Sequence, residues 1–255
     1  MNEKRTENIK QENKKALLPF ILIVMLSTIA GGFVGFFSSR YDENLRDLLL
    51  NGGLFLIEAI APYGMIVADI IFIPAAIIIF IQCKNQLKNV GMKQDEVLDY
   101  VDYRLNYPLL LTSTCMIVDF FFFPVAMIYS PDSVQFSILF LIIFVISIAI
   151  ITVIQQKVID LAKQINPEKQ GSVYDMKFAK KWEESCDEAQ RLTIYKSAYI
   201  SYKITAQAFI IIWVVLALGM FLFESGILPL AIVSILWLIQ TVTYCVSAMK
   251  LEKNK

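Results

Sequence analysis

The chain has 255 residues, 57% of them hydrophobic and 18% charged, with 23 basic residues balanced by 23 acidic ones. Soluble domains carry roughly 45–50% apolar and about 25% charged residues, so this composition calls for lipid and offers nucleic acid no basic footprint. It contains no histidine, which excludes any chemistry built on the chain's own imidazole as ligand, base or phosphoryl acceptor.

A bilayer core about 30 Å thick asks for roughly 20 apolar residues per helix. Six stretches meet that requirement, at about 16–37, 63–83, 107–129, 136–157, 204–223 and 227–249. They predict an all-α polytopic membrane protein, a single six-helix domain over residues 1–255. The first stretch is preceded by Lys4, Arg5, Lys10, Lys14 and Lys15 and lacks a small-residue cleavage site, so it is expected to stay as an anchor. Its Gly31 and Gly35 form a GxxxG pattern, which lets helices approach closely, within the bundle or in a homo-oligomer.

With both termini cytoplasmic, all basic residues except Arg40 and Arg46 fall inside, 21 of the 23. This orientation leaves no cysteine in an outer loop. Cys83, Cys115, Cys186 and Cys245 are single and widely spaced, so no CxxC metal or redox pair exists and no disulfide is expected. Residues 42–61 are expected to form an outer amphipathic helix, capped by Asp42, weakened at Gly52 and Gly53, and broken by Pro62. The outer turns at 130–135 and 224–226 are short, marked by Pro131 and Gly226.

Two cytoplasmic helical segments are expected, 84–106 and 158–203. In the second, Asn166 and Pro167 end the preceding helix, and Ser172 with Asp175 resembles a helix-starting cap. Phe178, Trp182, Cys186, Ala189, Leu192, Tyr195 and Tyr199 recur at helical spacing, predicting one apolar face. That face either packs under the chain's own bundle or docks a cytosolic protein. Residues 95–107 echo 187–199: Asp95, Glu96, Tyr103, Arg104 and Tyr107 correspond to Asp187, Glu188, Tyr195, Lys196 and Tyr199. With Phe178, Lys181 and Trp182 these form the candidate partner surface. IIIFIQCK (77–84) and IITVIQQK (150–157) give a second echo.

A third echo lies inside the membrane. IVADIIFIPAA places Asp69 five residues before Pro74, and IVDFFFFPVA places Asp119 five before Pro124. A carboxylate in a bilayer costs about 2.5–3.5 kcal/mol on insertion scales, so it faces a cavity or a partner, while a proline frees a carbonyl one turn upstream. The two acids form a candidate proton, cation or substrate site; the alternatives are that each is neutral or hydrogen-bonded to a Tyr, Thr, Ser or Gln of a neighbouring helix, orienting the bundle, or that they are plainly exposed to water. No Walker A motif occurs, and Glu183–Glu184 lacks the histidine partners of an intramembrane protease, so neither an enzyme, a metal nor a cofactor is expected.

INPEKQGSVYDMKFAKKWEESCDEAQRLTIYKSAY (165–199), with GGFVGFFSS (31–39), resembles the domain of unknown function 3169 family of Firmicute membrane proteins. The resemblance is most distinctive at Phe178, Lys181, Trp182, Cys186, Asp187, Glu188 and Ala189. It implies the cell membrane of a Gram-positive bacterium, often with a helix-turn-helix regulator encoded nearby, and carries no catalytic residue. The expected role is a non-enzymatic signalling, regulatory or immunity-type protein acting through its cytoplasmic helices on a soluble partner; the alternative is a transporter or permease subunit using Asp69 and Asp119, with or without a separate ATPase.

Overall fold

The computed structural model describes residues 22, 25, 26, 29, 43–88, 94–129, 134–223 and 226–253. Among them there is no strand. From residue 43 onward the described residues form, in order, α1 (Glu43–Lys88), α2 (Gln94–Arg104), α3 (Asn106–Tyr129), α4 (Val134–Ile165), α5 (Phe178–Glu184), α6 (Glu188–Phe223) and α7 (Leu228–Lys253). Five stretches of the described residues are long and apolar enough to cross a membrane: Tyr63–Lys88, Glu96–Ile128, Gln135–Ile165, Glu188–Met220 and Leu228–Lys253. Large apolar side chains such as Ile70, Ile117, Val145 and Ile211 stand exposed along them, as expected where lipid is the solvent. Gly31, Gly35 and Pro131 lie outside the described residues, as does most of the first expected span.

Two expectations are corrected. α1 is unbroken from Glu43 to Lys88, so residues 42–61 form no separate helix ended by Pro62. Proline is tolerated inside membrane helices because nearby groups take up the freed backbone carbonyl. The expected face over 178–199 is also divided, since the chain leaves helix between α5 and α6 at Ser185–Asp187. The cause is local. Asp187 Oδ1 accepts from the Gln190 N–H at 2.7 Å, and Gln190 Oε1 accepts in return from the Asp187 N–H at 3.4 Å, a capping box that starts a new helix.

The chain divides into two compact units. One comprises Met1–Gly52 and Lys203–Lys255; within it, α7 buries none of its residues, and Gly226 turns the chain at φ +77°, a left-handed conformation natural to glycine. The other unit, Gly53–Tyr202, holds the lower part of α1, all of α2 to α5, and the start of α6.

In the Gly53–Tyr202 unit α3 packs along α4, and α2 touches both. Its core is layered. Met65, Ala126 and Phe140 form one end layer, Ala68, Cys115 and Ile151 the middle, and Cys83, Val101, Leu105, Ile154, Val158, Leu161 and Ala162 the other end. Small side chains in each layer let the helices approach, which matters where lipid supplies no hydrophobic drive between them. At Gly64 the approach is close, since a Cβ there would fall 2.4 Å from the ring of Phe122.

Candidate functional site

The middle layer carries the polar residues. α1 contributes Asp69, α3 contributes Cys115 and Asp119 one turn apart, and α4 contributes Ser147. Asp119 is fully buried and Ser147 nearly so. Ala68, Cys115 and Ile151 form the adjoining apolar layer, while Asp69 itself is only partly buried.

The Ser147 hydroxyl lies 2.5 Å from Asp69 Oδ1 and 2.8 Å from Asp119 Oδ2. The Cys115 sulfur lies 3.6 Å from Asp69 Oδ1 and 3.9 Å from Asp119 Oδ2. Asp119 Oδ1 has no hydrogen-bond partner among the described residues, and no described Lys or Arg forms an ion pair with either acid. Asp69, Cys115 and Asp119 offer one ligand atom each within 4.8 Å of one another, a grouping able to hold a metal ion.

Hydrogen counting shows what this node requires. A serine hydroxyl has one hydrogen, and ionised carboxylates only accept. Ser147 can therefore donate to one carboxylate; its other short O···O contact would set lone pair against lone pair. A proton on one acid or a cation between them removes that conflict. A single proton shared between the two acids is enough for this.

The expected pairing of Asp69 with Asp119 is met in space, although they sit on different helices 50 residues apart. Pro74 and Pro124 do not join them; both are exposed and their helices continue through them. Cys115 and Ser147 were not anticipated. Cys115 precedes Asp119 by four residues on one helix face, and Ser147 is the sole polar residue between Ser137 and Thr152, a signal present in the chain.

The candidate partner surface is largely occupied in holding its own lobe together. Lys169, only 8% exposed, donates to Cys186 Sγ at 2.8 Å and to Gln190 Oε1, with its ammonium 5.1 Å from the Trp182 ring centre. Trp182 also meets Phe178 at 5.6 Å between ring centres. The Arg191 guanidinium donates to the Glu183 and Glu184 carbonyls that end α5, and the Tyr195 hydroxyl donates to Glu183 Oε1 at 2.6 Å. Lys181 pairs with Asp175. That pairing, with a hydrogen bond from the Lys177 N–H, holds the Asp175 carboxyl below its ordinary 3.8. Ser172 does not cap α5: its hydroxyl donates to Gln156 Oε1, which also accepts from the Val173 N–H, both at 2.8 Å. Glu188, Leu192 and Tyr199 are exposed on α6. On α2, Glu96 is exposed, and exposed Tyr103 shares a 3.1 Å hydroxyl contact with Tyr107.

No curated protein and no solved structure shows significant similarity to the chain. The family model described as protein of unknown function (DUF3169) matches residues 14–248, nearly the whole length. Apolar helices throughout and that match together identify the chain as a member of the DUF3169 family of proteins of unknown function.

Proposed function

We propose that this is a non-enzymatic cell-membrane protein of six spans, both termini cytoplasmic, that takes a cation into the node formed by Asp69, Ser147 and Asp119. Of the two roles open from the sequence, the transporter type is favoured. The observation that carries it is the single hydroxyl hydrogen set at 2.5 and 2.8 Å between two carboxylates, Asp119 buried and Asp69 partly so. Buried acids without a basic partner are costly in a bilayer, and a chain that keeps them at helix contacts uses them on an ion path.

The test is charge displacement. Proteoliposomes carrying the full chain are adsorbed on a solid-supported membrane and given concentration jumps of protons, alkali ions, alkaline-earth ions and zinc-class ions in turn. At least one jump is expected to give a current that disappears in the double variant Asp69→Asn, Asp119→Asn. Silence to every cation, or an undiminished current in the double variant, sinks the proposal.

A second reading keeps the regulatory role. It is supported by Leu192, half exposed on the first turns of α6, where a soluble partner has an apolar hold. Cross-linking in native membranes tests it: Leu192→Glu is expected to remove a stoichiometric partner, and an unchanged set of cross-links counts against it.

A further inference from the structure

The cation reading leaves the ion's class open, and the thiol beside the two carboxylates narrows it. We infer that Asp69, Cys115 and Asp119 bind a divalent transition ion of the zinc class; this rests on the cation reading above.

Four observations support it. The donor set is one sulfur and two carboxylate oxygens, drawn from two helices, with the Ser147 hydroxyl hydrogen-bonded beside the carboxylates. Alkali and alkaline-earth ions take oxygen and gain nothing from sulfur, whereas zinc-class ions take thiolate and carboxylate together. With Zn–S about 2.3 Å and Zn–O about 2.0–2.2 Å, a tetrahedral site has S···O edges of roughly 3.5–3.7 Å. The sulfur stands 3.6 and 3.9 Å from the two carboxylate oxygens, close to those edges.

The third observation is independent of these distances. Asp119 is fully buried, yet its Oδ1 has no hydrogen-bond partner among the described residues. That oxygen shares a carbon with Oδ2, which contacts Ser147 and lies near Cys115, so an acceptor is held beside the node with capacity unused. Buried oxygens of this kind are rare unless something is to occupy them.

The fourth is charge. Binding exchanges the ion for the thiol proton and the proton between the carboxylates. Two positive charges enter as two leave, so the buried node keeps its net charge. Three protein ligands leave room for an outer ligand, which suits an ion in passage better than one sealed in a structural site.

The full chain in nanodiscs, carrying Cys245→Ser to remove the exposed thiol, is equilibrated with zinc chloride and its metal content measured by mass spectrometry after dialysis. A single zinc per chain is expected, with affinity falling about tenfold or more in Cys115→Ser and in Asp119→Asn. Cobalt(II) is expected to give thiolate charge-transfer absorption that zinc displaces, a readout that needs no node variant; Cys115→Ser abolishes the band while Cys83 and Cys186 remain. No retained zinc and no cobalt band, or a band that survives in Cys115→Ser, overturns the assignment. If zinc fails while a proton or alkali current depends on Asp69 and Asp119, the metal is wrong and the broader cation reading stands. If no cation of any class acts, both fall.

Discussion

The ammonium of Lys169 lies 2.8 Å from the sulfur of Cys186, and both side chains are buried. A buried cation is tolerable only while acceptors surround it. Gln190 supplies one of them and at the same time closes the capping box that starts α6. Gln190→Leu is therefore expected to lower stability by about 1–3 kcal/mol, the cost of leaving a buried group short of a partner. Gln190→Glu keeps an acceptor and is expected to be neutral or stabilising. Hydrogen exchange of the amides across residues 166–192 reads both; equal protection in the two variants would refute the role given to Gln190.

Stability and ion handling separate at the membrane node. Replacing a buried charged group by a neutral one of similar shape removes its desolvation cost, so Asp69→Asn with Asp119→Asn is expected to leave the melting temperature in detergent unchanged or raised while abolishing the cation response. Ser147→Ala keeps both acids and removes the hydroxyl between them, and is expected to cost about 1–3 kcal/mol. A double Asn variant that melts well below Ser147→Ala would reverse this assignment.

Gly64 is a tight contact between α1 and α3. A methyl group there meets the Phe122 ring at 2.4 Å, and overpacking of this kind costs about 1–3 kcal/mol. Gly64→Ala is expected to lower thermal stability by that amount, and Phe122→Leu introduced alongside it to restore most of the loss. Strict additivity of the two substitutions would show that the helices do not meet at this pair.

The pairing of Asp175 with Lys181 predicts a particular acid limit. Because the folded carboxyl sits below its ordinary 3.8, its contribution is fully present above that value and is lost as pH falls through the lower, folded one. Exchange of the α5 amides is expected to follow ordinary chemistry from pH 7 to about pH 4 and to gain extra opening only below it. Asp175→Asn should show the opening at every pH; a transition near neutrality in the unmodified chain would rule the pairing out as its cause.

The sequence disclosed those features whose cost is local. Asp69 and Asp119 stood out because an acid within an apolar run is expensive wherever the chain goes, and the helices from Tyr63 onward because bilayer thickness dictates their length. Ser147 did not stand out, since a lone serine satisfies itself on its own helix's carbonyls in most settings; only the crossing of three helices turns its hydroxyl into a bridge. Lys169 was hidden for the same reason, its partners lying 17 and 21 residues away. Pro62 misled because soluble-protein rules for proline do not carry into a membrane helix. The Phe178–Tyr199 periodicity misled although the contrary signal, Asp187 followed three residues later by Gln190, was in plain view.

α4 runs without interruption from Val134 to Ile165, and it carries both Ser147 at the buried node and Gln156, to which Ser172 and Val173 are tied. Nine residues separate the two, about 14 Å along the axis at 1.5 Å per residue. A hydrogen-bonded helix is stiff over that distance, so a shift of Ser147 as its two carboxylates part or close carries Gln156 with it. One continuous helix thus joins the polar residues inside the membrane to the middle of the loop that leads to α5.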